Sequence, residues 1–270
     1  MKYLTLDEIH AALTNILAEF DRVCRENNLR YTISHGTLIG AVRHNGFIPW
    51  DDDIDVCMPR PDYEKLYSLI KSGEVKLSEH FLISEDRGKK AFYPFFKLMD
   101  DRYRIKSWSH IEVPYLFIDI FPLDGAPETE KEIEKLRKRR VYYSGVIALA
   151  RWAVPEKKWM AILRFLLFPF YLGCTIAGKA HAANKINKLA RKNDFNTCDK
   201  CAVFNFSTEK WLLDRDKLDE FVELPFEGLT VYAIAGYDEW LRDIYGDYMQ
   251  LPPVEKRISH SLKVWKTNQK

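Results

Sequence analysis

The residues best suited to chemistry lie in one acidic stretch, where four of five consecutive positions are aspartates: Asp51, Asp52, Asp53 and Asp55. Like charges repel and aspartate is disfavoured in strands, so this cluster costs free energy unless a cation offsets it. Apolar residues alternate with acids over residues 54–58. This period of two predicts a strand with Asp51, Asp53 and Asp55 on one face. Oxygen-rich faces of this kind suit Mg²⁺ or Mn²⁺.

A further carboxylate stands in a less expected place. Residues 115–121 are apolar except for Asp119, which is typical of a strand buried on both faces. A lone carboxylate there is costly unless it is paired with a base or bound to a metal. If this strand lies beside that of Asp53 and Asp55, the three carboxylates form a one- or two-metal site for phosphoryl or nucleotidyl transfer. The alternative is that Asp119 pairs with a base such as Lys97, and that the acidic stretch is a solvated loop or a calcium turn.

Residues suited to phosphate binding precede the acidic stretch. Gly36 precedes a predicted short helix that runs from Thr37 to Arg43. Glycine lets a phosphate approach the backbone, and N–H groups at a helix start point at a bound anion. Arg43 is a candidate phosphate clamp, because guanidinium binds phosphate through two hydrogen bonds. The alternative for Arg43 is a surface ion pair.

Four other ionisable residues are weaker candidates: Lys97 and Arg104 on predicted strands, and Arg257 and His260 near the C-terminus. Either strand residue could contact phosphate, although basic residues on strands are more often solvated. The C-terminal pair would act as a phosphate ligand and an acid or base if that segment reaches the site. A plain terminal loop is the alternative that composition favours.

Two of the five cysteines form a Cys198-x-x-Cys201 pair, which is half of a zinc site. No second ligand pair is evident in the sequence, so two loop thiols are the favoured interpretation. The odd, sparse set of cysteines argues against a disulfide framework and favours a reducing compartment.

The composition limits the class of protein. The 270 residues are 47% hydrophobic and 30% charged, which predicts a folded protein with a sizeable core. The net charge of +2 gives no reason to expect a nucleic-acid partner. The first ten residues contain no basic segment followed by an apolar run, so we expect no signal peptide and a cytoplasmic protein.

Periodicity predicts the elements that position these residues. A Thr5–Glu8 capping box opens an amphipathic helix over residues 5–28. Strands are predicted over residues 31–34, 54–58, 81–84, 92–99 and 115–121, with a helix from Pro61 to Gly73. After Pro127 the pattern becomes helical, and it is mixed again from about residue 201. We therefore predict a catalytic core over 1–127, a mainly helical insert over 128–200, and a C-terminal part over 201–270 that completes the catalytic domain.

The stretch 159–178 is apolar apart from Arg164. Its 20 residues match the length of a membrane span. Arg164, Pro169 and two glycines make a true span the least favoured interpretation, behind a membrane-surface element and the buried core of a helical subdomain. The flanking Lys157, Lys158 and Lys179 would then meet anionic headgroups or be solvated helix ends.

The run HGTLIGAVRHNGFIPWDDDIDVCMPR resembles the LicD family of phosphotransferases, as do FIDIFPLDG and YGDYMQLPP farther along the chain. The resemblance extends over about residues 30–260. It implies an α+β, nucleotidyltransferase-like fold shared with the fukutin-related transferases, with a mixed sheet and helices. That family places a glycine-containing turn after the first strand, D-x-D on the next and a third acid on a later strand. Gly36-Thr37, Asp53-x-Asp55 and Asp119 occupy those places here.

The resemblance also implies an activity. The donor would be a CDP-activated alcohol, with CDP-choline as the best-known example, and CMP would leave. The acceptor would be a hydroxyl of a cell-surface glycan, such as a lipopolysaccharide or teichoic-acid precursor, often lipid-linked. A cytoplasmic enzyme at the inner face of the cell membrane would suit this reaction. Asp53, Asp55 and Asp119 would hold Mg²⁺ or Mn²⁺, and substrate would contact a further set: Gly36, Thr37, Arg43, Lys97, Arg257 and His260.

Three rival interpretations stay open. A D-x-D glycosyltransferase would use Mn²⁺ and a nucleotide sugar, but it predicts a longer nucleotide-binding half than the 52 residues that precede Asp53. A nucleotidyltransferase acting on a small molecule or a protein would have the same metal site. A non-enzymatic Ca²⁺-binding or glycan-binding module would leave Asp119 unexplained.

Overall fold

Helices and strands are mixed along the chain, in a computed structural model that describes residues 2–91, 93–106, 113–150, 178–205, 211–257 and 262–267. The helices are α1 (Leu6–Glu26), α2 (His35–His44), α3 (Arg60–Ser72), α4 (Glu130–Ala150), α5 (Lys179–Ala190) and α6 (Tyr237–Tyr245). The strands are β1 (Thr32–Ile33), β2 (Asp55–Pro59), β3 (Phe81–Ile83), β4 (Phe96–Ile105), β5 (Tyr115–Gly125), β6 (Lys200–Ala202), β7 (Leu213–Asp214), β8 (Phe221–Phe226), β9 (Leu229–Ile234) and β10 (Val264–Lys266).

A mixed sheet forms the centre of the fold, with strands in the order β1-β2-β5-β4-β10. β2 and β5 run parallel, and β4 is antiparallel to β5. β3 and β10 pair with successive parts of the other edge of β4, so the C-terminal segment joins the same sheet. The last residues of β5 pair with β6, which pairs with β7. Helices around a mixed sheet confirm the predicted α+β class.

The strand that carries Asp119 is buried less evenly than its composition predicts. Leu116, Ile118 and Ile120 are fully buried and belong to the main hydrophobic core, which α1 helps to cover. Phe117 and Asp119 alternate with them on a half-buried face. The prediction of a strand buried on both faces is therefore wrong for its first half, and Asp119 lies where a ligand can approach.

A buried ion pair holds the far ends of β2 and β5 together. Arg60, the residue after β2, donates from Nε and Nη2 to the two carboxylate oxygens of Asp124 in β5, at 2.6 and 2.8 Å. The Asp124 side chain is 1% exposed and that of Arg60 9%. Charge-assisted pairs with this two-bonded geometry are specific in direction as well as strong. The pair therefore fixes the register that sets the acids at the other ends of the same strands.

Several boundaries differ from prediction for local reasons. β4 begins at Phe96 rather than near residue 92, since Pro94 has no N–H to give a ladder and is found at strand ends. α2 begins at His35, two residues before the prediction. The Pro61–Gly73 helix is confirmed, with Gly73 as its C-cap at φ 80°.

The predicted capping box is present, and it permits a test on stability alone. The Thr5 side chain accepts from the Glu8 N–H at 3.3 Å, and Glu8 Oε2 accepts from the Thr5 N–H at 2.7 Å. We expect Thr5→Ala to lower the free energy of unfolding by about 1 kcal/mol, measured by urea denaturation. Thr14→Ala is the matched control, because Thr14 Oγ1 bonds to the His10 carbonyl inside the helix and caps nothing. Equal losses in the two variants would contradict the assignment.

The predicted helical insert is only partly within the described residues. α4 and α5 pack against each other, and Ile147 joins Ala182, Ala183 and Ile186 in a small apolar cluster separate from the main core. The predicted apolar stretch 159–178 lies outside the described residues except for its last position. Among the helices that are described, none is both long and apolar enough to cross a membrane. The domain boundaries stay a prediction.

The Cys-x-x-Cys pair is only partly in a loop. Cys198 is half-buried in the loop before β6, while Cys201 lies within β6, pairs with Gly125 and is buried. Both are free thiols, so the expectation of two loop thiols is wrong for Cys201. Within the described ranges no third His, Cys, Asp or Glu joins them in a metal-binding group.

Candidate active site

Three charged residues lie in a row across the sheet. Asp55 begins β2 and is in register with Asp119 in β5, which is in register with Lys97 in β4. The Asp119 N–H donates to the Ile54 carbonyl at 2.9 Å, which joins β5 to the residue before β2. Residues in register on neighbouring strands project to the same face of a sheet. The two carboxylates and the ammonium group therefore share one face.

Lys97 is buried beside Asp119. Its ammonium group donates to Asp119 Oδ1, and the residue is only 2% exposed. The Phe117 and Tyr93 ring centroids lie 3.6 and 4.4 Å from Nζ, so aromatic rings replace the solvent around the charge. The expectation that a strand lysine would be solvated is wrong for Lys97, while Arg104 farther along the strand is exposed. The pairing of Asp119 with Lys97, open as an alternative from the sequence, is present.

Burial alternates along the acidic stretch as predicted, although β2 begins only at Asp55, so Asp51 and Asp53 precede the strand rather than lie within it. Asp51, Asp53 and Asp55 are half-buried, whereas Asp52 is 2% exposed and points into the protein. There the Asp52 carboxylate accepts a hydrogen bond from the Leu262 N–H at 2.8 Å, which connects the acidic stretch to the C-terminal segment. Three of the four aspartates therefore face the side of the sheet that carries Asp119.

The pKa of Asp55 is shifted by burial and by the neighbouring carboxylates. Burial raises the pKa of Asp55 well above its ordinary value, and the charges of Asp53 and Asp119 raise it further. The positive charge of Lys97 acts in the opposite direction but is the smaller effect. The site therefore holds more negative charge than one lysine neutralises, and a bound cation would stabilise it.

The donor set fits one kind of metal site. Among the described residues no group of three or more His, Cys, Asp and Glu side chains is arranged to hold a metal ion by itself. Mg²⁺ is usually bound through one or two carboxylates, with substrate phosphates and waters as its remaining ligands. One or two carboxylates from among Asp53, Asp55 and Asp119 suit that arrangement. The residues thus fit a cation that takes part of its coordination from a bound ligand rather than an all-protein cage.

The start of α2 holds the first residue of β2 in place. Thr37 Oγ1 accepts a hydrogen bond from the Asp55 N–H at 2.9 Å, and Thr37 is only 3% exposed. The Thr37 side chain therefore positions Asp55 rather than a phosphate. The backbone N–H groups of Gly36 and Thr37 stay the predicted phosphate donors. His35 begins the helix with φ 48°, a strained conformation typical of functional sites.

Gly36 packs closely against the acidic stretch, and a substitution at Gly36 tests whether activity depends on that packing. A Cβ at Gly36 would lie 2.5 Å from Asp51 Oδ2, so an added methyl must displace that carboxylate. We expect Gly36→Ala to lower kcat/KM about 100-fold, as a misplacement of about 1 Å does. Gly145→Ala in α4 is the control, since no atom lies within 4 Å of its Cβ position. Steady-state kinetics of the two variants make the comparison, and full activity in Gly36→Ala would contradict the close packing.

Two histidines at the site were not anticipated from the sequence. His35 Nδ1 lies 3.8 Å from Asp55 Oδ2, and its ring meets Phe121 edge-on at 5.9 Å. His10 bonds through Nε2 to the Asp51 carbonyl at 2.7 Å and stacks on Phe47 at 3.9 Å. His35 could have been found from the sequence, because it directly precedes Gly36 in the predicted phosphate-binding turn. His10 had none, because only the packing of α1 brings it to the acidic stretch.

Two of the predicted phosphate ligands, Arg43 and Arg257, interact electrostatically with each other. Arg43 donates from Nη1 to the Tyr248 carbonyl at 2.7 Å, not to a surface carboxylate. Arg257 donates to the Pro252 carbonyl at 3.0 Å. Its guanidinium carbon lies 4.9 Å from the ring centroid of Trp50, the residue before Asp51. Burial, and then the charge of Arg257, lower the pKa of Arg43, so an anion between the two would be favoured. The predicted acid or base His260 lies outside the described residues.

Comparison with known proteins defines the class. Residues 28–146 match the family described as LicD/FKTN/FKRP, nucleotidyltransferase domain, and this range contains the whole row of Asp55, Asp119 and Lys97. The chain is 30% identical over 272 residues to the lipopolysaccharide cholinephosphotransferase LicD of Haemophilus influenzae (strain ATCC 51907 / DSM 11121 / KW20 / Rd). That alignment covers 97% of this chain and 98% of the relative. An uncharacterized protein of Rickettsia prowazekii (strain Madrid E) is 34% identical over 73 residues, 27% of each chain. The chain belongs to the LicD family, and it is a phosphotransferase.

Proposed function

We propose that this enzyme transfers phosphocholine from CDP-choline to a hydroxyl of a cell-surface glycan, such as a lipopolysaccharide or teichoic-acid precursor, and releases CMP. The observation that carries the proposal is the row of Asp55, Asp119 and Lys97 across three strands, inside the segment that matches the family. The acceptor class rests on the name of the Haemophilus relative, which acts on lipopolysaccharide. Phosphoryl transfer depends mainly on positioning and charge stabilisation, which such a row supplies.

In the proposed reaction the acceptor oxygen attacks the phosphorus that carries choline. The bond from that phosphorus to the bridging oxygen of the diphosphate breaks, and CMP leaves with the electron pair. Asp53 and Asp55 would hold Mg²⁺ or Mn²⁺ against the diphosphate, with Asp119 completing that site or taking the acceptor's proton. When bound, the metal ion supplies neutralising charge for the diphosphate.

The surrounding residues have supporting roles in the proposal. The N–H groups of Gly36 and Thr37 and the guanidinium groups of Arg43 and Arg257 would bind phosphate oxygens. His260 is a further candidate phosphate ligand or acid. Lys97, buried against Asp119, would place its positive charge near the transferred phosphoryl group. Asp51 would act through the residues that bind the metal rather than as a ligand itself.

We also propose that the reaction takes place at the cytoplasmic face of the cell membrane, where a lipid-linked acceptor would be presented. This part rests on the chemistry of the acceptor and on the apolar sequence of residues 159–178. The donor is soluble and the acceptor is not, so a protein that meets both would work at the membrane surface.

A donor panel tests the proposal. The protein is incubated with Mg²⁺, a glycan acceptor and one of these donors in turn: CDP-choline, CDP-ethanolamine, CDP-glycerol, CDP-ribitol, a nucleotide sugar or a nucleoside triphosphate. Released nucleotide is then measured. We expect CMP from CDP-choline, and its loss with excess chelator. UDP released from a sugar donor would indicate a glycosyltransferase, and pyrophosphate from a triphosphate a nucleotidyltransferase. Either result would overturn the proposal, as would binding without turnover.

A further inference from the structure

A groove between α4 and α5 is lined mainly by basic side chains. Its cavity of about 750 Å³ lies between the two packed helices. Its lining consists of five basic residues, two tyrosines and a leucine: Lys138, Arg139, Tyr142, Tyr143, Lys185, Lys188, Leu189 and Lys192. No acidic side chain lines it within the described ranges. We call these eight residues the basic groove.

The charges of both helices face the same cavity. On α4, Tyr142 is four residues after Lys138 and three after Arg139, so both basic residues are its neighbours on the helix surface. From α5 into the residues that follow it, Lys185, Lys188 and Lys192 are separated by three and four. All five basic residues are exposed, so water and salt screen their mutual repulsion, and the groove presents a concentrated positive charge to an approaching anion.

Acidic partners offset little of this charge. Lys138 lies 3.6 Å from Glu134, but their side chains are 76% and 50% exposed. Exposed pairs of this kind contribute little because water and salt screen them. The basic groove is therefore a concentrated positive surface.

Apolar side chains beside the groove favour a bilayer over a soluble anion. Tyr142 is 64% exposed, and its neighbour Val141 is 51% exposed on the same helix. A soluble phosphate would leave these groups in water. The headgroup region of a bilayer would take up both, because aromatic and apolar groups partition there while flanking basic residues meet lipid phosphates.

We propose that the basic groove binds the headgroups of anionic phospholipids and so holds the enzyme on a membrane surface. Clusters of four to eight basic residues recognise anionic lipids in this way, and the groove supplies five. The assignment names a binding site that the phosphotransfer chemistry does not require. Its test is a binding measurement, so its failure is distinct from failure of the proposed reaction.

The experiment uses the full chain and sedimentation with vesicles. One set contains phosphatidylcholine alone, and the other contains phosphatidylcholine with phosphatidylglycerol. We expect binding to the second set and not to the first, with strong weakening at high salt. Lys185→Glu with Lys188→Glu should weaken binding at least about tenfold, because each basic residue near an anionic surface contributes strongly to partitioning. Both lysines are exposed, so far-ultraviolet circular dichroism should show an unchanged fold.

The control matches the change in net charge. Lys76→Glu with Lys266→Glu alters two exposed lysines outside the groove, and it should keep vesicle binding within about threefold. Equal losses in the two double variants, or no binding of the parent to anionic vesicles, would overturn the proposal. Displacement by inorganic phosphate at the concentration of accessible lipid phosphate would overturn it too, since a soluble anion would then be the occupant.

Discussion

Asp55→Asn is expected to lower kcat by about 1,000-fold or more while leaving the protein folded. Asp55 stands at the start of β2 in register with Asp119, and in the proposed reaction it holds the cation against the donor diphosphate. Lewis-acid stabilisation of a phosphoryl oxygen contributes several kcal/mol to the transition state, so loss of a ligand should have an effect of that size. Rates of CMP release at saturating CDP-choline, with Mg²⁺ varied, measure both the fall in kcat and the higher Mg²⁺ concentration needed for half-maximal rate.

The same substitution should not destabilise the fold. Burial and neighbouring carboxylates raise the pKa of Asp55, which means that its ionised form is disfavoured in the folded state. Asparagine has nearly the same shape and carries no charge, so the free energy of unfolding without metal should be kept or increased. Asp52→Asn is the matched control: Asp52 points into the protein, and an amide oxygen can still accept from the Leu262 N–H. Equal losses of activity in the two variants would contradict the assignment of Asp55.

Lys97→Met is expected to damage both stability and catalysis. Lys97 is 2% exposed and pairs with Asp119 between aromatic rings, so methionine would fill much of its space but leave the carboxylate without its cation. Removing one partner of a buried pair costs about 3 kcal/mol or more. The proposed contact with the transferred phosphoryl group should also be lost, which we expect to lower kcat about 100-fold. Urea unfolding in chelator and steady-state kinetics measure the two effects.

A second substitution separates the two roles of Lys97. Lys97→Met with Asp119→Asn should recover much of the lost stability, because the buried partner of Lys97 then no longer carries a charge, while activity stays low. Arg104→Met is the control on the same strand, since Arg104 is exposed, and it should change neither quantity much. Parent-like stability in Lys97→Met would contradict the buried ion pair. Parent-like kcat would remove Lys97 from the reaction.

The elements of the core were predictable because each has a strong local signal. A capping box opens α1, Gly73 ends α3 in a left-handed conformation, and alternation places Asp52 apart from the other three acids of its stretch. Asp119 stood out because a carboxylate interrupts an apolar strand. Such signals depend on a few neighbouring residues, and a sequence displays them directly.

The pairing within the site was not predictable in the same way. Strand register decides that Asp119 has Asp55 on one side and Lys97 on the other, and register arises from contacts between segments far apart in the chain. The burial of Lys97 was predicted wrongly because composition does not reveal the surrounding rings. His10 reaches the Asp51 carbonyl only through the packing of α1. The roles of the acids and the basic residues in substrate binding stay predictions.

One measurement tests the central proposal most directly. CDP-choline labelled separately in cytidine and in choline is incubated with the enzyme, Mg²⁺ and a glycan acceptor, and both labels are followed. We expect the choline label to enter the glycan, the cytidine label to appear as CMP in equal amount, and Asp55→Asn to abolish both. Cytidine label in the glycan, or unchanged transfer by Asp55→Asn in excess chelator, would contradict the proposal.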